Sequence, residues 1–399
     1  MSYLYSSIQI GSVQIKNRFV HSATFEAMAS ATGEVTDQLI KRYQLLAENE
    51  VGLIIPGFFY IHPMGKAFPF QTGIHNDDMI PGIKKLIDTV HQKGGKIVLQ
   101  LCHAGRQTTK RLIGRRPLGP SSFDRDPLNL VKPAAMTEEE IQEAIDAFGE
   151  AAKRAVSAGA DGIQFHGAHG YLINQFLSPF FNQRIDEWGG TDEKRFRFFK
   201  EVISATRKKI PGNIPLLVKL NSNDYTPKEG VIPALAVKYA EWLGELKIDG
   251  LELSCGTSVY SFMNMCRGEV PVNEFVSGLP WWKKSLGRFM IKRMVGKYEL
   301  EGAYNVEAAK IIKPVLKNTT LSVVGGFRKK AYMEEVIANG YTDLISMSRP
   351  FIREPDLIQK FKQGKADTAS CTSCNKCMAA VCNSIPLRCF NKVPDEDQC

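Results

Sequence analysis

Eight short runs rich in β-branched and aromatic residues alternate with helical patterns along this chain, and a chain so punctuated has few folds open to it. The runs fall at residues 19–23, 51–56, 96–101, 161–165, 215–220, 249–254, 320–324 and 342–347. Between them lie amphipathic stretches with helix start signals, such as Thr137-Glu138-Glu139-Glu140 leading to Ala158, and the segment 231–246. Strands separated by helices pair in parallel. Eight such units close into a (β/α)8 TIM barrel, an α/β fold whose reacting groups stand on the loops after the strands. These units are expected to fill residues 1–364. Two irregularities remain, a long insertion after the sixth strand at 255–304 and a cysteine-rich tail at 365–399.

The 399 residues, 44% of them hydrophobic, suffice for one large core plus an appendage. No apolar run approaches the roughly 20 residues of a membrane helix, and the start Met1-Ser2-Tyr3-Leu4-Tyr5 lacks the basic and apolar blocks of a leader. A cytoplasmic location with no integral membrane segment is expected. Nine cysteines, five of them between Cys371 and Cys389, suit a reducing compartment with a metal or cluster site better than a disulfide framework. The net charge of +9 is concentrated in residues 281–299, where six Lys or Arg face one Glu. That stretch reads as the solvated face of a lid helix, as a dock for an acidic ligand such as a coenzyme A phosphate, or as a membrane-surface helix. No RNA-binding module is appended, so nucleic acid is not expected as a partner.

The segment from His166 to Pro179 carries the chemistry. It reads His-Gly-Ala-His-Gly-Tyr-Leu-Ile-Asn-Gln-Phe-Leu-Ser-Pro. The run before it is an interior strand, which puts His166 at its C-terminal end and His169 and Tyr171 on the following loop. Two imidazoles and a phenol there can bind an anionic oxygen and deliver a proton. This segment, continued by Asn182-Gln183-Arg184-Ile185-Asp186-Glu187-Trp188-Gly189-Gly190, resembles the Old Yellow Enzyme family of FMN-dependent ene-reductases. Within it, the likeness points to the branch containing the flavin domain of bacterial 2,4-dienoyl-CoA reductases.

The resemblance implies roles for polar residues that the strand pattern leaves in awkward places. Gln100 is an amide and Lys219 a charge inside apolar strands, costly placements without a partner. The family uses the matching groups on the flavin pyrimidine and on the N1 and O2 edge. Ser22, Ala23, Thr24 and Gly57 match the loops that meet the flavin ring, although Phe25 stands where the family has Thr, Cys or His. Gly325-Gly326 and Ser348-Arg349, on the last two units, match its phosphate site, and small residues beside an arginine suit an anion there. No Gly-x-Gly-x-x-Gly dinucleotide motif is evident, which favours FMN over FAD. By the same likeness NAD(P)H reduces the flavin and an α,β-unsaturated carbonyl or enoyl-thioester compound reoxidises it. His166 and His169 then hold the carbonyl oxygen, and Tyr171 protonates carbon.

The tail supplies Cys371, Cys374 and Cys377 in a C-x2-C-x2-C run and Cys389 beyond. Three closely spaced thiols and a distant fourth suit a [4Fe–4S] cluster. The family's cluster-bearing branch has three residues where this chain has two between the second and third cysteines, which leaves Cys382 as a spare or rival ligand and keeps zinc and free thiols open. Two other functions also stay open: an amine demethylase of the same barrel class, and a non-catalytic redox-relay flavoprotein. A homo-oligomer or a separate redox partner is compatible with either, and the sequence does not choose between NADH and NADPH.

Overall fold

In the computed structural model, which describes residues 2–122 and 132–391, the alternation becomes eight parallel barrel strands. They are β1 (Phe19–His21), β2 (Leu53–Ile54), β3 (Val98–Cys102), β4 (Gly162–Gly167), β5 (Leu216–Asn221), β6 (Gly250–Ser254), β7 (Thr320–Val324) and β8 (Leu344–Met347). Strand β8 pairs back with β1. The seam between β2 and β3 closes where Ile54 N–H donates to Lys96 O at 2.8 Å and Ile54 bridges Ile97. The barrel helices are α1 (Asp37–Glu48), α2 (Ile80–Gln92), α3 (Glu138–Ser157), α4 (Asp192–Lys209), α5 (Pro233–Glu245), α6 (Val306–Ile312), α7 (Lys330–Ala338) and α8 (Leu357–Lys362).

Several strands start later than the residue pattern suggests, and three aspartates explain why. The expected starts at 161, 249 and 342 give way to Gly162, Gly250 and Leu344. Asp161, Asp249 and Asp343 instead turn their carboxylates onto the first N–H groups of a neighbouring strand, those of Ile97, Leu216 and Leu321, at 2.7–2.8 Å. A side chain thus completes the ladder at the bottom of the barrel: each aspartate N–H donates to the carbonyl of that same residue, and its carboxylate satisfies a donor that would otherwise be orphaned.

Helix α3 illustrates how the layers lock. Thr137 and Glu140 form the expected capping box, each side chain bonding the other's backbone N–H. Ile141, Ile145, Phe148 and Ala152 recur on one face and are buried. Phe148 meets Phe165 of β4 edge-on with ring centroids 6.1 Å apart. Truncating Phe148 to Ala should cost about 3–5 kcal/mol by leaving a cavity between layers.

The insertion after β6 contains the short helices Phe262–Met265 and Val272–Val276 and the longer Trp281–Lys292. The tail returns to the barrel: Thr368 bridges Lys329, Leu387 N–H donates to Glu26 O at 2.8 Å, and Cys377, Val381 and Leu387 join the main core. No helix among the described residues is long and apolar enough to cross a membrane.

Candidate active site

His166 is the penultimate residue of β4, and the loop after it is pinned from several sides. His169 adopts φ +62°, a strained conformation for a non-glycine residue, and its N–H donates to Asn221 Oδ1 at 3.3 Å. Its carbonyl accepts from Gln107 Nε2 at 2.9 Å and from Ser258 N at 3.0 Å. Beneath the loop, buried Asp224 accepts from Asn174 and Asn221, and Asn174 in turn accepts the Gly170 N–H at 2.7 Å. These bonds fix the backbone conformation that turns both imidazoles inward.

The three rings converge. Centroids of His166 and His169 lie 5.0 Å apart, and those of His166 and Tyr171 4.7 Å apart. Burial, reinforced by His169 and Lys219, holds the His166 imidazole well below its usual pKa. Burial and then Lys219 do the same to His169. Both rings are therefore neutral near neutrality. His166 Nδ1 accepts the Ala168 N–H at 3.4 Å, so its proton sits on Nε2, which becomes the donor. His169 Nε2 lies 2.7 Å from Ser254 Oγ at the end of β6. Burial, with Cys102, pushes the Tyr171 phenol far above its ordinary value against an opposing hydrogen bond with Ser258, and Cys382 adds to the rise. The phenol stays protonated.

Inside the barrel a chain of polar groups crosses four strands. Gln100 Nε2 donates to Gln164 Oε1 at 2.6 Å, Gln164 Nε2 to Glu252 Oε2 at 3.0 Å, and Lys219 Nζ lies 3.2 Å from that same oxygen. Lys219 also donates to Ser22 Oγ at 3.0 Å. Registers put these residues side by side: Gln100 faces Gln164, His166 faces Lys219, and Lys219 faces Glu252. Two buried acceptors, Gln100 Oε1 and Glu252 Oε1, have no partner. A buried acceptor without a donor is costly, so a planar ligand offering an N–H suits Gln100. The sequence reading missed Gln164, Glu252 and Ser254. Their signal was present, because each stands in the inward phase of an apolar strand, two residues from another polar side chain.

The loops around this chain divide into polar and aromatic sides. Thr24 Oγ1 lies 2.6 Å from Ser348 Oγ and donates to Ser22 O at 3.0 Å. Ala23 lies between these two residues in the same loop. Gly57 has its N–H engaged by Glu26 Oε1 at 2.7 Å, and Tyr43 donates a short hydrogen bond to the same carboxyl. Glu26 and Tyr43, which the sequence reading did not single out, thus shape the loop that carries Gly57. Phe25 stacks on Phe68 at 4.9 Å, and Phe58 packs 4.9 Å from Tyr171, an apolar wall beside the phenol.

On the loop after β7, where a phosphate site is expected, Gly325 and Gly326 have φ +121° and +86°. A Cβ on Gly326 would fall 1.8 Å from Gly302 O, so no other residue fits there. Arg349 is buried and its Nη1 donates to Cys266 O, Arg267 O and Asn375 Oδ1 at 3.3, 2.9 and 2.6 Å. The arginine therefore ties the barrel to the insertion and to the tail.

Cys371, Cys374, Cys377 and Cys389 line one cavity, together with Arg349 and Arg353, and Cys382 is not among its walls. Arg328 Nη2 lies 3.7 Å from Cys371 Sγ and Arg353 Nη1 3.6 Å from Cys389 Sγ. Ser373 and Asn375 hold φ +60° and +56° in the turn between the thiols. Burial, opposed by Arg349 and reinforced by Cys371, Cys374 and Cys389, pushes the Cys377 thiol up to about 12. The four sulfurs feel one another, yet among the described residues no three His, Cys, Asp or Glu side chains are drawn together around a single-ion position.

With this geometry in place, similarity to known proteins is informative. Residues 3–268 and 272–368 match the family described as NADH:flavin oxidoreductase / NADH oxidase. The chain is 31% identical, over 97% of its length, to an NADH oxidase of Thermoanaerobacter brockii, 55% of which is covered. It is 32% identical, over 88% of its length, to an NADPH dehydrogenase of Bacillus cytotoxicus, 90% of which is covered. A solved 2-naphthoyl-CoA reductase in complex with 2-naphthoyl-CoA superposes with a TM-score of 0.83 at 25% identity, covering 97% of this chain and 56% of that one. The chain thus spans about half the length of the NADH oxidase and the naphthoyl-CoA reductase, and nearly all of the dehydrogenase.

Proposed function

The chain belongs to the NADH:flavin oxidoreductase / NADH oxidase family, and from that premise we propose that it is a flavin oxidoreductase that uses FMN and NAD(P)H to reduce the activated C=C bond of an α,β-unsaturated carbonyl or enoyl-thioester compound. The observation that carries this reading is the convergence of His166, His169 and Tyr171, two neutral imidazoles and one protonated phenol, beside the buried Lys219 and Gln100. FMN, when bound, supplies the two-electron chemistry, accepting a hydride from NAD(P)H and returning one to the alkene. Gln100 offers its unpaired Oε1 to the ring's N–H. Lys219 would supply a cation to the bound ring, and Ser22, Ala23, Thr24 and Ser348 would help to hold it. The backbone of Gly325 and Gly326 would hold the phosphate, and Arg349 would add charge there.

For the substrate, a neutral imidazole is a good hydrogen-bond donor that adds no competing charge. His166 Nε2–H therefore holds the carbonyl oxygen as negative charge gathers on it, and His169 joins it from the adjacent turn. Tyr171 delivers the proton to carbon, since burial keeps the phenol loaded at working pH. The aromatic wall of Phe25, Phe58 and Phe68 excludes water from that transfer. Coenzyme A thioesters enter the candidate list because the naphthoyl-CoA reductase carries one in its complex.

We also propose that Cys371, Cys374, Cys377 and Cys389 hold a [4Fe–4S] cluster. One shared cavity and two flanking arginines support it. Cys382 lies outside that set and within electrostatic reach of Tyr171.

Anaerobic turnover tests the main reading. Purified protein reconstituted with FMN should oxidise NADH or NADPH only when an enone or enoyl thioester is present, and release the saturated product. Oxidation of an amine substrate without alkene reduction would move the chain to the demethylase class.

A further inference from the structure

Helix Trp281–Lys292, in the insertion after β6, contains no buried residue. Its half-covered positions are Lys284, Gly287 and Ile291, followed one turn on by Met294, and their three- and four-residue spacing marks the side that rests on the protein. Gly287 is seated there, since a Cβ on it would come within 2.7 Å of Leu279 Cδ1. The opposite side carries Trp282, Leu286, Phe289 and Met290, exposed by 63, 64, 61 and 47%. This inverts the ordinary arrangement, in which the apolar stripe of a surface helix faces the core. Contiguous exposed apolar surface of this kind marks an interaction site.

The charge around the stripe identifies the occupant. Lys283, Arg288, Lys292, Arg293 and Lys297 surround it, and Glu299 is the one acid in 281–299. Lys283 lies over the Trp282 ring at 4.7 Å and Arg293 over Phe289 at 5.6 Å, so cations and aromatic faces share one surface. A second copy of the chain would set this cationic surface against its own equal. An acidic protein would need a shaped counterpart, and a lone helix with no buried residue presents a ridge rather than a groove. A bilayer needs no shape. Its anionic headgroups take the lysines and arginines, while its acyl boundary takes Trp, Leu, Phe and Met.

We propose that this helix docks the protein on an anionic lipid surface, lying in the headgroup plane with Trp282, Leu286, Phe289 and Met290 immersed. Each basic residue brought to such a surface strengthens binding about fivefold at moderate salt. Because the insertion follows β6, docking turns the catalytic end of the barrel toward the lipid.

Flotation of FMN-reconstituted protein with vesicles tests this. Wild type should float with vesicles containing phosphatidylcholine and phosphatidylglycerol, remain behind with phosphatidylcholine alone, and lose most binding in high salt as screening shortens the reach of its charges. Tryptophan emission should shift to the blue on binding. Trp282→Ser with Phe289→Ser, and separately Lys283→Glu with Arg288→Glu, should weaken binding at least about tenfold, while flavin absorbance, enone turnover and thermal midpoint stay at wild-type values. Those residues touch nothing in the active site. Wild type that fails to bind the anionic vesicles at low salt overturns the proposal. So does retained vesicle binding in both variants, or loss of self-association in the serine variant with no lipid binding by wild type, which would assign the stripe to a second copy.

Discussion

Glu252→Gln is the substitution through which the barrel interior is most open to measurement. Lys219 and Glu252 are each about 2% exposed, and their Nζ and Oε2 atoms lie 3.2 Å apart. At that separation and an effective dielectric constant of about 20, the attraction is about 5 kcal/mol, similar to the roughly 3–5 kcal/mol lost when one partner of a buried pair is removed. The hydrogen bond from Lys219 to Ser22 persists in the variant but carries no counter-charge. Glu252→Gln should therefore lower unfolding free energy by about 3–5 kcal/mol, and Lys219→Met by a similar amount through a stranded carboxylate. The double variant should cost less than either single change, because it buries neither charge alone. Urea unfolding of the four apo proteins, followed by far-UV circular dichroism, gives the cycle. Additive losses in the double variant, or a Glu252→Gln value within about 0.5 kcal/mol of wild type, would refute the pairing as the reason a lysine can sit in this core.

Three further outcomes are expected. Freeing Lys219 from its counter-charge favours the more negative, reduced flavin, so Glu252→Gln should raise the midpoint potential of bound FMN by roughly 30 mV or more, measured by dye-coupled titration; a fall would contradict it. Stability should decline from about pH 7 to pH 5.5, because burial holds His21 and His103 at about 3 and keeps His166 and His169 well below normal. In the unfolded chain those four take up protons near 6.5, so each can contribute about 1.4 kcal/mol per pH unit below that value, while buried Glu26 and Asp224, pushed upward, act in the opposite sense; a flat profile in urea unfolding would argue against neutral buried imidazoles. Anaerobically purified wild type should carry about four iron and four sulfide per chain, Cys389→Ser should lose most of both, and Cys382→Ser should keep them; one zinc without sulfide would sink the cluster.

The fold was legible because barrel strands are buried on both faces and so stand out as continuous apolar runs, with turn and cap signals between them. The His166 to Tyr171 set was legible for a different reason: imidazoles and a phenol at a strand's end have little structural use. What stayed hidden depends on register. Gln164 and Glu252 could be seen as inward polar residues, but their pairing with Gln100 and Lys219 emerges only once neighbouring strands are aligned residue against residue. Arg349 read as a pure phosphate ligand, yet its bonds to Cys266, Arg267 and Asn375 join three segments far apart in sequence, and nothing local announces such a junction. Likewise the buried Glu26 that takes the Gly57 N–H lies thirty-one residues earlier, a pairing that nothing local announces. Cys382 could be separated from the other tail cysteines only after the tail had folded onto the barrel.

The central claim is that flavin reduction needs no proton donor here and alkene reduction needs Tyr171. Anaerobic stopped-flow absorbance of the FMN-loaded protein separates the two half-reactions. With Tyr171→Phe, reduction by NAD(P)H should stay within about twofold of wild type, while reoxidation by an enone should slow by about 10²- to 10⁴-fold, the range expected for a lost general acid. Equal slowing of both half-reactions, or wild-type reduced flavin that no enone or enoyl thioester reoxidises, would contradict the account.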